Sequence, residues 1–211
     1  HRRPPFLSAR RMAEPFLKRK VLSAATHIIG VSSPVLESHF GANWRGDPRM
    51  RVIPNAIETE SYRDQSQREE VRRQFGIAPE EIVIGHAGRF SPAKNHHAVV
   101  EVAKRVCESH SNTSFLLAGT GPLLDEIRQS VTSAGLEKKV VFAGWQKEMP
   151  PVYSAMDLFL FPSLWEGLPL ALIEAQAAGL PCLASDIECH REVLHPELWT
   201  RAFPPDAAAA A

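Results

Sequence analysis

From residue 82 onward the sequence repeats one unit: a short continuous apolar run, a turn marked by glycine or proline, and a segment with helical spacing. The runs lie at 82–87, 114–118, 140–143, 158–161 and 182–185, with helical segments at about 95–109, 122–134, 149–155 and 168–178. Runs that are apolar throughout, rather than alternating, suit strands covered on both faces. Strands that take turns with helices pair in parallel, with the helices packed on the two sides. The repeat therefore predicts an α/β fold, a doubly wound, Rossmann-like parallel sheet with its ligands beyond the carboxyl ends of the strands.

Upstream the pattern is weaker. Pro15 suits a first helical turn, and Leu17, Val21, Ala24 and Ala25 form an apolar stripe behind it. A strand is expected at 27–31, then a helix with its N-cap at Ser33, Pro34 next, running to Phe40 and closed by Gly41. Residues 41–66 are rich in Gly, Asn, Asp and Pro and read as a linker loop, broken only by Met50, Arg51, Val52 and Ile53. A charged helix at about 67–75 leads into the repeat. The chain opens at His1 with neither Met nor a signal-peptide pattern and closes on alanines after Asp206, so it reads as a piece incomplete at both ends.

Charge narrows the functional classes. Lys+Arg and Asp+Glu are 24 each, a balance that argues against a dedicated nucleic-acid binder. Residues 1–20 are the exception, with Arg2, Arg3, Arg10, Arg11, Lys18, Arg19 and Lys20 against Glu14 alone. That segment could touch acidic lipids or be a solvated face. Cys107, Cys182 and Cys189 have no CxxC spacing, so a disulfide framework or zinc site is not expected, and a reducing cytosol suits them. No apolar run reaches the roughly 18 residues of a membrane span.

The residues just after each strand are the candidates for chemistry. Arg89 and Lys94 follow the first run, separated by Phe90-Ser91-Pro92-Ala93, with Asn95 placed to cap the next helix. A planar fork and a point charge together suit a diphosphate, although a solvated loop would look the same. Gly119 and Gly121 follow the second run, but Leu124 stands where a dinucleotide fingerprint has its third glycine, so a tight turn is the simpler reading and no nicotinamide cofactor is inferred. Gly144 and Trp145 follow the third; the tryptophan could meet a base or simply pack. The fourth run leads into PSLWEGLPLALIE, which sets Glu166 in a loop and Glu174 inside a nearly all-apolar, hence buried, helix. A carboxylate there needs partners. Glu174 leans toward the helix N-terminus, where it could grip a ribose diol while the helix end faces a phosphate; a structural ion pair is the other possibility. His96-His97 and Cys189-His190 lack metal-ligand spacing and are expected at the surface.

These blocks resemble a known family. Glu166-x7-Glu174, together with RVIPNAIE, GHAGRFSPAKN, FLLAGTGPL, VVFAGW and DLFLFPS in this order over about residues 26–193, is similar to retaining GT-B glycosyltransferases (family 4, "glycosyl transferases group 1"). The linker here reads Pro54-Asn55-Ala56-Ile57-Glu58, where the family usually has Pro-Asn-Gly-Val-Asp. The resemblance implies a domain split: residues 1–52 as the last piece of an acceptor-side Rossmann-like domain plus linker, and 53–211 as a donor-binding Rossmann-like domain lacking its last elements. It implies a nucleotide-sugar donor, UDP- or GDP-linked, and a saccharide or lipid-linked saccharide acceptor, in cell-surface polysaccharide or glycolipid synthesis at the cytoplasmic side of a membrane. Arg89 and Lys94 match the pair that holds the diphosphate, Glu174 the carboxylate on the ribose, and Glu166 the one facing the donor sugar, with Gly167 and Leu168 beside it. Arg89, Lys94 and Glu166 are thus the implied catalytic residues. Gly144 and Trp145 fall where the family's backbone meets the base, and Gly119 and Gly121 line the cleft. No Asp-x-Asp occurs in the chain, which fits a transferase that needs neither metal nor other cofactor. A GT-B-fold epimerase or phosphorylase, or a non-catalytic nucleotide-sugar-binding subunit, are the alternatives. With the acceptor side upstream of these residues, the chain alone is expected to bind donor weakly and not to turn over.

Overall fold

The computed structural model describes Lys20, residues 22–195 and Phe203. The helix expected from Pro15 and the basic segment 1–20 lie almost wholly outside these residues. The chain separates into two compact units, one ending at Pro54 and the other beginning at Asn55, two residues beyond the boundary that the sequence suggests.

In the first unit β1 (Ile28–Gly30) and β2 (Met50–Val52) pair in parallel, Ile28 opposite Met50. Between them runs α1 (Ser33–Phe40). Its N-cap is Ser32, one residue earlier than expected: the Ser32 hydroxyl accepts from the Val35 amide at 3.4 Å, which leaves Pro34 in the first turn, where its missing N–H costs nothing. Gly41, at φ 73°, ends the helix.

The second unit opens with two short helices, α2 (Glu60–Arg63) and α3 (Arg68–Gln74). The first was read as loop, because its one inward residue, Tyr62, gives no periodicity to detect. A parallel sheet follows, built from β3 (Ile82–Ala87), β4 (Thr113–Ala118), β5 (Val140–Gly144), β6 (Leu158–Phe161) and β7 (Cys182–Ala184) in the order β5-β4-β3-β6-β7. The connecting helices are α4 (His96–Ser109), α5 (Leu124–Ser133), α6 (Pro150–Ser154) and α7 (Leu170–Ala177), and α8 (Glu188–Arg191) follows β7. The strands fall where the apolar runs predicted them. Strand β7 ends at Ala184, one residue short of the apolar run, though the Ser185 amide still donates to the Phe161 carbonyl and Ser185 bridges to Phe203. Helix α5 starts at Leu124, two residues later than the spacing suggests, and the Leu123 amide just before it donates to the Phe90 carbonyl.

Both faces of the sheet carry a core. Successive residues of a strand point to opposite sides, so Phe115, Leu117 and Leu160 join Val99, Ala103, Ile127 and Val131 beneath α4 and α5. Leu116, Ala118, Phe159 and Phe161 join Tyr62, Val71, Tyr153, Leu172 and Ala175 on the other side. This is why the runs could not alternate: all six residues of β4 are buried.

The amino end of the sheet is clamped by charge. Arg72 is 3% exposed; its guanidinium donates to the carbonyls of Ala155, Pro79 and Glu81 and pairs with Asp157 at 2.7 Å. Asp157 also pairs with Arg68 and accepts from the Val83 amide at 2.8 Å, tying α3, β3 and β6 together. Burial pushes the Asp157 carboxyl up, but the Val83 amide and the two arginines outweigh it and hold the acid below the usual carboxylate range. Removing Arg72 takes the donor from three carbonyls and one of the two arginines from Asp157, so Arg72→Ala should cost about 3 kcal/mol in urea unfolding. Arg73→Ala, which breaks only an exposed pair with Glu70, should leave the midpoint unchanged.

Candidate functional site

Strand β3 is the point from which the sheet winds both ways: β4 and β5 extend on one side, β6 and β7 on the other. At such a switch the loops leaving neighbouring strands part and open a crevice beyond their carboxyl ends. A cleft of about 480 Å³ lies there, lined among others by Arg89, Gly119, Gly121, Trp145 and Glu174, with Leu170 and Ala171 of the first turn of α7. That turn has no side-chain cap. A larger cleft, about 730 Å³, sits at the opposite end of the sheet against Asp157 and Pro181, away from every strand's carboxyl end.

The cleft floor explains its glycines. A Cβ on Gly119, where φ is +133°, would sit 2.0 Å from the Gly88 carbonyl oxygen, and one on Gly121 would sit 2.4 Å from that of Phe90. The loops after β3, β4 and β5 cross in contact, stitched by Gly88 N–H to Ala118, Phe90 N–H to Thr120, and Gly119 N–H to Gly144. Both glycines line the cleft, but backbone meeting backbone is what requires them. Gly144, itself at φ 69°, accepts the last of these bonds from the end of β5. Trp145 beyond it is 70% exposed, so the packing alternative for this residue falls.

Glu174 is held by a hydroxyl. The Tyr153 hydroxyl lies 2.9 Å from Glu174 Oε2 and 3.1 Å from the Ala171 carbonyl. Burial, and then the Glu174 charge, push the Tyr153 hydroxyl well above its ordinary value and that of Tyr62 up to about 12. Both tyrosines of the chain thus feel the Glu174 charge, but only the Tyr153 hydroxyl lies within hydrogen-bond distance of it among the described residues. The alternative of a structural ion pair falls, since no cation pairs with Glu174 among the described residues. Helix α7 is also less enclosed than its composition suggests, with only Leu172 and Ala175 buried among its described residues. Sequence reasoning missed the tyrosines because no local spacing links positions 62 and 153 to 174.

The two cations differ. Arg89 is exposed and lines the cleft without a hydrogen bond or ion pair among the described residues. Lys94 packs its stem on Gly88, sets its ammonium over the Phe161 ring at 4.6 Å, and pairs with Glu166 at 2.6 Å. Lys94 and Glu166 are therefore joined to each other behind Gly88, which lines the cleft, while neither of them, nor Gly167 or Leu168, is among the lining residues. Gly167 and Leu168 carry the loop on into α7, where the Leu168 carbonyl accepts from Leu170. Asn95 stands at the N-cap of α4 but in the left-handed region, φ 52°, with no side-chain cap bond.

Comparison with known proteins fits this geometry. The sequence profile of the family described as Glycosyl transferases group 1 matches residues 67–211. The chain belongs to that family. It is 34% identical over 170 residues, 80% of its length, to the "Putative glycosyltransferase EpsF" of Bacillus subtilis, and covers 44% of that protein. It is 34% identical over 146 residues to the Escherichia coli "UDP-Gal:alpha-D-GlcNAc-diphosphoundecaprenol alpha-1,3-galactosyltransferase", covering 67% of this chain and 38% of the relative. The chain thus spans less than half the length of these relatives. Among solved structures, Anabaena Alr3699/HepE "in complex with UDP and glucose" superposes over 83% of this chain and 48% of its own, at a TM-score of 0.71 and 24% identity, which establishes the GT-B fold.

Behind the Lys94–Glu166 pair, this group 1 glycosyltransferase chain buries three histidines. His86 and His190 are fully enclosed and His96 is 1% exposed, so the surface placement expected for His96 and for Cys189-His190 is wrong; His97 alone is exposed. They lie inside because the helix that His96 opens turns it under β3, against the rings of Phe90 and His86 at 3.9 and 4.6 Å. His86 Nδ1 donates to the Leu160 carbonyl and His190 Nδ1 to that of Ser185, whereas neither ring nitrogen of His96 has a partner. Burial, then neighbouring charge that includes Lys94, lowers His86 to about 4 and His96 to about 2. Both are neutral when folded but take a proton near pH 6.5 when unfolded. Their contribution is therefore complete above about pH 6.5 and is lost as pH falls, toward 4 for His86 and toward 2 for His96, at up to about 1.4 kcal/mol per pH unit for each histidine. His96→Phe should raise stability at pH 7 by about 1–2 kcal/mol, by removing unpaired polar atoms, and should flatten the fall in melting temperature between pH 6.5 and 4.

Proposed function

We propose that the cleft is the donor site of a retaining, metal-independent glycosyltransferase that moves a sugar from a UDP- or GDP-sugar to a hydroxyl of a saccharide or lipid-linked saccharide. One observation carries the reading: Arg89, a cation without a partner among the described residues, and Glu174, a carboxylate held by the Tyr153 hydroxyl, face one cleft at the switch point of the sheet. Glu174 would accept from the ribose diol, its orientation fixed by Tyr153. Arg89, with Lys94 and the uncapped first turn of α7, would meet the diphosphate. As the glycosidic bond to the donor breaks, charge gathers on the leaving phosphate, and cations already in place stabilise that state more than the ground state. In this reading they do the work that other transferases give to a metal. Glu166 and the Gly167–Leu168 backbone would face the sugar, and Trp145 with Gly144 the base. The UDP in the HepE structure and the UDP-Gal in the name of the Escherichia coli relative support a uridine nucleotide.

No helix among the described residues is long and apolar enough to cross a membrane. We read the protein as acting at the cytoplasmic face, with the basic segment 1–20 touching anionic lipid. The acceptor side is assigned to parts of the protein beyond this chain, so the chain alone should bind donor without turnover.

Calorimetric titration with UDP, GDP and ADP, with and without chelator, tests the proposal. One nucleotide should bind whether or not chelator is present, and Glu174→Ala should weaken it about tenfold or more, as expected for lost hydrogen bonds to a charged group. Equal binding by wild type, Glu174→Ala and Arg89→Ala would overturn the assignment.

A further inference from the structure

Lys94 is already occupied where a diphosphate would need it. Its ammonium lies 2.6 Å from Glu166, and the two side chains are only 16% and 10% exposed, so water screens the pair weakly. The stem of Lys94 lies against Gly88, whose neighbour Arg89 lines the cleft, and the ammonium rests over Phe161. The lysine is thereby confined beside the cleft. The other titratable groups that face Glu166 are kept uncharged by burial, which lowers His190 and pushes the Cys189 thiol up to about 11. Lys94 is thus the one formal counter-charge of Glu166 among the described residues, and Glu166 that of Lys94.

We infer that Glu166 is an exchangeable counter-ion for Lys94, which a bound diphosphate must displace or share, and which takes the ammonium back as the nucleoside diphosphate leaves. The inference rests on the donor-site reading above and adds a second role for Glu166, on the leaving group rather than on the sugar. With the carboxylate in place, the pair is neutral and Arg89 is the only uncompensated cation lining the cleft among the described residues. A diphosphate entering beside Glu166 gains one ammonium contact but approaches a carboxylate. Product release limits turnover in many enzymes, and a carboxylate that competes for the lysine speeds departure of the diphosphate, the cost of displacing it being common to every state in which the diphosphate holds the ammonium.

The test is the affinity of this chain for UDP, by calorimetry. Glu166→Gln keeps the size and hydrogen-bonding reach of the side chain and removes its charge. It should bind UDP about tenfold tighter than wild type, in line with the coupling of close charge pairs. In a Lys94→Met background the same substitution should gain clearly less, because only the direct repulsion between carboxylate and diphosphate is then relieved. A role confined to the sugar predicts no change for UDP in either background. Should Glu166→Gln fail to fold by circular dichroism, Glu166→Ala carries the same expectation. If wild type binds UDP and removal of the charge leaves affinity unchanged or lower, the counter-ion role falls while the donor site stands. GDP replaces UDP throughout if wild type binds only GDP; if wild type, Glu166→Gln and Glu166→Ala bind neither UDP nor GDP, the donor-site reading falls with it.

Discussion

The winding of the sheet in both directions from β3 is the constraint on which the site depends. Strand β3 pairs with β4 through all six of its residues and with β6 on its other edge. That arrangement sends the loop with Arg89 and Lys94 and the loop with Glu166 out of adjacent strands. It also turns α7 so that Glu174 comes up on the same cleft. The arginine clamp at Asp157 closes the amino end of β3 and β6, leaving the carboxyl end free to be shaped by loops rather than by the needs of the core.

Rigidity at the carboxyl end comes from backbone. The loops after β3, β4 and β5 hydrogen-bond to one another across glycines whose missing side chains let the chains touch. A floor built this way holds fixed dipoles and charges without having to reorganise when charge appears on a ligand, the condition under which electrostatic stabilisation is strongest. Glu166 and Glu174 are then two carboxylates in different states, one neutralised by an ammonium and one, in the cleft lining, oriented by a phenol.

Much of the fold was legible in the chain. Continuous apolar runs can be satisfied only by strands buried on both faces, and the helical spacing between them leaves little choice but parallel pairing. The charged positions after the strands were legible for the same reason, since strand ends are where loops open. What failed was local and instructive. His96 and His190 read as surface residues because histidine near a helix start usually is; ring stacking with Phe90 and a bond to the Ser185 carbonyl draw them inside. Helix α2 went unseen because one buried tyrosine has no period.

The sequence by itself determined the strands, the order of the loops and the family, because periodicity and motif spacing are properties of neighbours along the chain. Tertiary structure alone decided who partners whom: Tyr153 with Glu174 across 21 positions, Lys94 with Glu166 across 72, and Arg72 with Asp157 across 85. The physical reason is that a buried charge takes whatever opposite charge or hydroxyl the packed sheet brings within hydrogen-bond reach, and that choice is made by the geometry of the fold rather than by any spacing along the chain.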